Sequence, residues 1–399
     1  MSQPVMPLHS YRERRLIGLE YALIFMASGA MFPFFNLYLS RNLGWSGTRI
    51  GFLGASASVL VMLTQPLWGR LSDASNKNTV LALALGMSGC LAFLQPFAAG
   101  SFAIFFALRL GHAVSSGSIS SMFDGIALDI LGEERNIFGQ YRLWGSLGFA
   151  LAALTFGRVY ESFGFTNMFF VYAGITAGAA CVALRFDTTP AKGESWANSE
   201  SMRLGPVLAN PALLVLLGGI FLVMTANTAG ENFFAIFLDT IGATGLTGYA
   251  FATMALVEVP MFLMAPRVID RFGYKPVLVF STGLFGLKLV LNALFPIPWL
   301  VMLLQPLAGI GFALFHVSAV LMVDALVPRQ FRSTGQAVLA TVSWSLAGIT
   351  GSLIFGRLLD TTGILAAFRI GGYVGLLGTL FIWLFVPSGE KQSSVGIKA

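Results

Sequence analysis

The sequence contains few charged residues for a chain of its length. Asp, Glu, Lys and Arg make up only 11% of 399 residues, whereas a soluble domain carries about 25%. Cysteine is also scarce: Cys90 and Cys181 both lie in apolar stretches, a setting that indicates neither a disulfide nor a metal site. The composition therefore predicts an integral membrane protein, and its unbroken apolar runs favour helices over a β-barrel.

Sequence motifs of several enzyme classes are missing as well. The chain has no phosphate-binding GxxxxGK[ST] segment, no HExxH zinc motif and no GxSxG nucleophile turn. We therefore expect no catalytic activity, no cofactor and no metal. Without a nucleotide-binding loop, an ion gradient is a better candidate than ATP as an energy source.

Long apolar segments are abundant. A membrane span needs about 20 apolar residues, and that criterion predicts twelve spans. These are Leu16–Tyr38, Ile50–Trp68, Thr79–Ala99, Phe102–Met122, Tyr141–Tyr160, Phe165–Phe186, Ala212–Phe237, Gly248–Ala265, Pro276–Leu294, Trp299–Ala325, Gln336–Leu359 and Ala366–Val386. The first run is too long for a signal-peptide core, so we expect it to be retained.

Basic residues are distributed unevenly between the two sides of this arrangement. Of the 24 Lys and Arg residues, 17 fall on the same side as the N-terminus and five on the other, while Arg109 and Lys288 lie within spans. Because positive charge concentrates on the cytoplasmic side, the pattern predicts a multi-pass inner (plasma) membrane protein with both termini cytoplasmic. It leaves no basic patch for nucleic acid, and the bilayer is the expected surrounding.

The chain repeats weakly about a polar connection. GRLSDASNK (69–77) corresponds to PRVIDRFGYK (266–275), and FGRVYESFG (156–164) corresponds to FGRLLDTTG (355–363), in each case 197 to 199 residues later. The repeat predicts a six-helix bundle over residues 1–186, a cytoplasmic linker over 187–210 and a second six-helix bundle over 211–399. Two repeated halves with a site between them are typical of secondary transporters.

These segments resemble the major facilitator superfamily. Gly69 and Asp73 match its signature after the second helix, and Asp270 and Gly273 match the second copy. The resemblance implies two pseudo-symmetric six-helix halves and a conformational gate at these four residues. Asn76 stands where the family usually has glycine, and asparagine tolerates a left-handed backbone, so we expect the turn to survive.

The similarity extends to the branch that contains the lactose and phenylpropionate permeases. It is carried by GAMFPFFNLYL (29–39), QPLWGRLSD (65–73) and FGQYRLWGSLGF (138–149). The resemblance implies that Asp124 and Arg142 bind the solute and that Phe149 stacks on it. A carboxylate and a guanidinium can together accept from and donate to such a ligand. The alternative is an ion pair that only holds two helices together.

Two further ionisable groups are predicted near the middle of the membrane. Glu258 lies about halfway along the eighth span and Lys288 along the ninth. The resemblance implies a substrate-binding role for Lys288 and a proton-coupling role for Glu258; a purely structural pair is the alternative. His316 is a second candidate for proton coupling, with helix packing as its alternative.

The fourth span contains Arg109 and His112, which are neighbours on one helix face. Arg109 is a candidate for binding an anionic group of the substrate, and pairing with a neighbouring helix is equally compatible. Glu231 lies nearer the outer end of the seventh span, where it can be a gate residue or hydrated. Glu20 lies near the inner end of the first span, where snorkelling accounts for it.

We therefore expect a carrier that takes up a small organic solute with protons by alternating access and works as a monomer. An aromatic or other small carboxylate is favoured, because Arg109, Arg142 and Lys288 are three intramembrane cations; sugars or nucleosides come next. Proton-driven efflux of drugs or metabolites is the alternative within transport. A membrane enzyme or a sensor on the same scaffold is the alternative outside it.

Overall fold

The computed structural model describes residues 11–186 and 204–387, and all the regular structure in these ranges is helical. The α-helices are α1 (Tyr11–Arg41), α2 (Gly47–Ala74), α3 (Lys77–Leu94), α4 (Phe102–Ser116), α5 (Ile119–Leu131), α6 (Phe138–Phe163), α7 (Asn167–Ala183), α8 (Leu204–Leu208), α9 (Pro211–Asn232), α10 (Phe234–Thr240), α11 (Thr247–Phe272), α12 (Tyr274–Leu294), α13 (Pro298–Leu303), α14 (Gln305–Leu326), α15 (Arg332–Ala340), α16 (Ala347–Thr362) and α17 (Ile364–Phe385). A π-helical segment, Thr341–Leu346, joins α15 to α16.

Helices of membrane-spanning length dominate the described residues. Ten helical stretches there are long and apolar enough to cross a bilayer. The two other predicted spans correspond to α7, which is apolar but shorter, and to α6, which contains Arg142, Arg158 and Glu161. The predicted all-α integral membrane class is confirmed, and the helices are consistent with twelve spans.

Several spans predicted as single helices are interrupted. The seventh ends at Asn232 and resumes as α10, and the tenth is divided at Leu304 between α13 and α14. Pro306 explains the second break, because proline near the start of α14 lacks the amide hydrogen that a continuous helix needs. Local residue chemistry therefore divides spans that hydropathy alone treats as continuous.

The described chain forms two compact units. The first contains residues 11–186 and 235–256, and the second contains 204–234 and 257–387. Within the first unit, Arg41 forms an ion pair with Asp239 at 3.2 Å, and a Cβ atom on Gly248 would clash with the backbone of Ala153. These contacts explain why 235–256 group with the first unit. Most of the predicted linker, residues 187–203, lies outside the described residues, as do Lys391 and Lys398 near the C-terminus.

The ends of corresponding helices support the internal repeat. Gly164 and Gly363 close the two repeated segments with φ of 95° and 79°, a region that favours glycine. The turn at Asn76 survives as a two-residue connection between α2 and α3, but without the left-handed backbone considered for Asn76, whose φ is −71°. Its side chain instead accepts hydrogen bonds from the amides of Asn78 and Thr79, which makes it the N-cap of α3.

Close helix packing in the first unit depends on small residues. A Cβ atom on Gly29 of α1 would clash with the backbone of Phe149 on α6. One on Gly148 of α6 would clash with the backbone of Ala22 on α1. Glycine allows such close approach between membrane helices, so α1 and α6 are held side by side in the region where the candidate site lies.

Candidate functional site

The first cluster of polar side chains joins three helices of the first unit. Nη1 of Arg142 on α6 donates to Oδ2 of Asp124 on α5 at 2.7 Å. The hydroxyl of Tyr21 on α1 donates to Oδ1 of the same carboxylate, also at 2.7 Å. We call Tyr21, Asp124 and Arg142 the α1–α5–α6 cluster; both oxygens of its carboxylate are engaged.

Aromatic residues surround this cluster. The Tyr21 ring is fully buried and lies 4.7 Å from the Phe123 ring in an edge-on arrangement. The guanidinium of Arg142 lies 5.9 Å from the centre of the Phe25 ring. Phe149 is half-buried on the same helix as Arg142, and its backbone contacts α1 as described above. Packing therefore fixes Tyr21 and with it the orientation of the Asp124 carboxylate.

The cluster keeps part of its polar surface accessible. The side chains of Arg142 and Asp124 are 47% and 28% exposed. Arg142 presents donors from a rigid guanidinium, and the carboxylate accepts from any further donor. Because the two formal charges cancel, a neutral hydroxylated ligand can bind without adding net charge. A carboxylate ligand would have to compete with Asp124 for the guanidinium.

Lys288 on α12 lies within the second unit and is nearly buried. Its ammonium lies 4.9 Å from the centre of the Phe234 ring, and its charge interacts with that of Glu231 on α9. Asn227 donates a hydrogen bond of 2.7 Å to Oε1 of Glu231. Within the described residues Lys288 forms no ion pair with Glu258, which lies half-buried on α11.

His316 is exposed on α14 among aromatic side chains. Its ring lies 5.9 Å from that of Phe262 and 6.1 Å from that of Phe312. It also lines a small cavity of about 70 Å³ together with Gln336 and Trp344, next to the π-helical segment. Aromatic packing is the contact that these rings provide, and proton coupling by His316 stays a prediction.

Arg109 occupies an unusual environment in the first unit. Its guanidinium lies 4.0 Å from the centre of the Phe35 ring and is 2.9 Å from Nδ1 of His112. No acidic side chain in the described part of the chain pairs with it. The His112 ring lies 5.1 Å from Tyr172, and its Nε2 is buried without a hydrogen-bond partner there. Since a buried charge is normally paired, this group can attract an anion.

The four predicted gate residues lie at the ends of helices. Gly69 is part of α2, and a Cβ atom added to it would meet open space. Asp73 and Asp270 are exposed and form no ion pair within the described ranges. Gly273 precedes α12 with φ of 86°, as a tight turn between two helices requires. Their conformational role stays a prediction.

Sequence reasoning missed Tyr21 and misjudged its neighbour Glu20. Snorkelling does not account for Glu20, because its side chain is 0% exposed and neither carboxylate oxygen has a partner within the described residues. The position of Glu20 near the end of the first span suggested that its side chain reaches water. Nothing in the sequence shows that residues 20 and 21 both face the bundle interior.

Comparison with known proteins identifies the relatives of this chain. The sequence model described as "MFS_1 like family" matches residues 16–370. The maltose permease of Geobacillus stearothermophilus is 29% identical over 95% of this chain and 97% of its own length. The "Probable 3-phenylpropionic acid transporter" of Escherichia coli (strain K12) is 24% identical over 76% of this chain and 80% of its own length.

A solved structure supports the same fold. A point mutant of the nucleoside transporter NupG superposes with a TM-score of 0.85 at 17% identity, covering 94% of this chain and all of that one. At this identity the likeness concerns the fold alone. The relatives are transporters and not enzymes, in agreement with the sequence analysis.

Proposed function

Because the chain belongs to the MFS_1-like family, we propose that it takes up a small hydroxylated solute together with protons. The solute binds alternately from the two sides of the membrane, as secondary transporters of this architecture do. We further propose that the protein lies in the inner membrane with both termini cytoplasmic and that a monomer contains the whole pathway. The uneven distribution of basic residues supports this orientation.

The observation that carries the proposal is the α1–α5–α6 cluster. A carboxylate and a guanidinium 2.7 Å apart, still partly exposed within helices of a membrane protein, offer both acceptors and donors. Charged groups within spans cost roughly 2.5–3.5 kcal/mol each on the insertion scale, so a function that uses them is expected. The two roles, solute binding and helix pairing, are compatible in one cluster.

The relatives support a hydroxylated solute. A protein named maltose permease is 29% identical over nearly the full length of both chains, and sugars carry the hydroxyl groups that suit a carboxylate–guanidinium pair. For the proton we propose Glu258, which the resemblance implies. Its position on the membrane-spanning helix α11 supports this role.

Transport assays in proteoliposomes test the proposal. We would measure accumulation of radiolabelled maltose, sucrose, uridine and 3-phenylpropionate, driven by a pH gradient that is acidic on the outside of the vesicles. We expect at least one of the three hydroxylated compounds to accumulate and a protonophore to abolish the accumulation. The proposal would be contradicted if none of the three compounds entered the vesicles, or if they entered without being concentrated by the pH gradient. Gradient-driven efflux without uptake would contradict it as well.

A variant tests the proton site separately. Glu258→Gln removes the ionisable group, so accumulation should be lost while exchange of solute across the membrane continues. Glu134→Gln is the control, since Glu134 is exposed and pairs with Arg14 at 2.8 Å. Gradient-driven uptake by Glu258→Gln at the wild-type level would remove Glu258 from the mechanism.

A small carboxylate, which the sequence analysis favours, is the second candidate solute. The guanidinium of Arg109 supports it, because no acidic side chain among the described residues pairs with this group, and so does the similarity to a protein named for 3-phenylpropionic acid. Accumulation of 3-phenylpropionate without that of maltose, sucrose or uridine would favour this candidate. Arg109→Gln should then abolish the uptake.

A further inference from the structure

A second cluster of polar side chains lies within the second unit, where α9 packs near α12. Asn227 and Glu231 are one helical turn apart on α9, and the Asn227 amide donates to Oε1 of Glu231 at 2.7 Å. The other carboxylate oxygen of Glu231 has no hydrogen-bond donor among the described residues. This carboxylate therefore has acceptor capacity that no described residue uses.

Lys288 faces the same region from α12. Its side chain is only 8% exposed, yet no described residue accepts a hydrogen bond from its ammonium. The ammonium lies over the Phe234 ring at 4.9 Å, and its charge interacts with Glu231 without a direct ion pair. A nearly buried ammonium without acceptors is costly, so these donors require a partner that the described side chains do not supply.

Asn292 adds an independent observation. It lies one turn beyond Lys288 on α12 and therefore on the same side of that helix. Its side chain is 0% exposed, and neither its amide nitrogen nor its oxygen has a partner within the described ranges. Buried side-chain amides are normally hydrogen-bonded, so a second polar group beside Lys288 is unsatisfied in the same way.

We propose that Asn227, Glu231 and Lys288 form a second binding site, which holds a hydroxyl group of the solute between the carboxylate and the ammonium. A hydroxyl donates one hydrogen bond and accepts others, so it satisfies both groups at once. The inference rests on the proposed function and names further residues for it. Of these three residues, the sequence alone predicts a substrate-binding role only for Lys288, and it leaves Glu231 as a gate residue or a hydrated side chain.

Charge favours a neutral ligand at this site. A carboxylate ligand would bring a second negative charge beside Glu231, and a cationic ligand would bring a second positive charge beside Lys288. A hydroxylated compound adds neither.

Ligand-induced thermal stabilisation of the purified protein tests the site. A ligand that binds the folded state raises the unfolding temperature by mass action. We would titrate maltose, sucrose and uridine against the wild type, Glu231→Gln and the double variant Glu231→Gln/Lys288→Met. The double variant buries no unpaired charge, so it should fold even if a single substitution does not. Glu161→Gln, an exposed carboxylate in the first unit, is the matched control.

We expect the ligand concentration for half-maximal stabilisation to rise at least tenfold in Glu231→Gln and in the double variant and to stay unchanged in Glu161→Gln. Equal binding by wild type and both variants would overturn the second site while the proposed function stands. So would a Glu231→Gln variant that binds normally and loses only gradient-driven accumulation, because Glu231 would then be a proton site. If none of the three compounds stabilises the wild type or is transported by it, the proposed function fails, and the second site fails with it.

Discussion

The phenolic oxygen of Tyr21 on α1 lies 2.7 Å from Oδ1 of Asp124 on α5, although 103 residues separate the two in the chain. The contact ties the proposed solute-binding carboxylate to a fully buried side chain. Because Arg142 occupies the other oxygen, Tyr21 and Arg142 together set the plane of the carboxylate. Tyr21 is therefore a positioning residue for solute binding.

Removing this hydroxyl should weaken solute binding. A hydrogen bond to a charged group contributes about 1.5–3 kcal/mol, so we expect Tyr21→Phe to raise the dissociation constant of the transported solute by at least about tenfold. Tyr160→Phe is a matched control, because Tyr160 is also fully buried but its hydroxyl has no partner in the described part of the chain. Titration with the solute that the wild type transports measures both. Equal affinity in Tyr21→Phe and the wild type would show that Tyr21 does not position Asp124.

Glu20 allows a prediction about stability. The Glu20 carboxylate is buried, and neither of its oxygens has a hydrogen-bond partner among the described residues. The amide of glutamine has a similar shape and carries no charge that burial would penalise. We expect Glu20→Gln to keep or raise the unfolding temperature in detergent. Asp124→Asn should lower it by several degrees, because that carboxylate has two partners. A Glu20→Gln variant destabilised as much as Asp124→Asn would indicate that Glu20 makes a stabilising contact.

The contact between α1 and α6 can be tested with a single methyl group. Gly148→Ala places a Cβ atom against the backbone of Ala22, and overpacking of this kind typically costs about 1–3 kcal/mol. Gly178→Ala on α7 meets open space and should be neutral or slightly stabilising. Thermal unfolding of the two variants measures the difference, and similar unfolding temperatures would show that α1 and α6 can separate at no cost.

Hydropathy and the internal repeat were sufficient to predict the helical membrane fold. Hydropathy and the repeat could not predict the helix breaks at Phe233 and Leu304. Apolar residues lie on both sides of each break, so the average hydropathy of the span does not mark it. The cap at Asn76 was missed for a similar reason. An asparagine can either adopt a left-handed backbone in a turn or cap a helix by accepting amide hydrogen bonds with its side chain. Only the backbone conformation in the structure shows which of the two roles Asn76 has.

The polar clusters were also only partly predictable from the sequence. Asp124 and Arg142 could be predicted as neighbours, because a charge within an apolar span requires a partner and the loop between α5 and α6 is short. Tyr21 could not, since nine tyrosines occur in the chain and none carries a charge that marks it. For Lys288 the sequence offered Glu258 as a partner at similar depth, whereas Glu231 is the acidic group whose charge reaches it. Depth in the membrane is readable from position, but the direction in which a side chain points depends on helix packing.

The most direct test of the central claim, that the α1–α5–α6 cluster binds the solute, is the affinity of Arg142→Ala for the transported compound. The side chain of Arg142 is 47% exposed and Asp124 keeps its hydrogen bond from Tyr21, so the variant should insert and fold, with an unfolding temperature without ligand lowered by no more than that of Asp124→Asn. Arg158→Ala on the same helix is the control, because Arg158 is exposed and lies over the Tyr249 ring. We predict that stabilisation by ligand is lost in Arg142→Ala and kept in Arg158→Ala. The claim would be contradicted if the ligand stabilised Arg142→Ala as much as the wild type. It would also be contradicted if most of the variant unfolded while the fraction that folds still bound the ligand. The Asp124–Arg142 pair would then only link two helices.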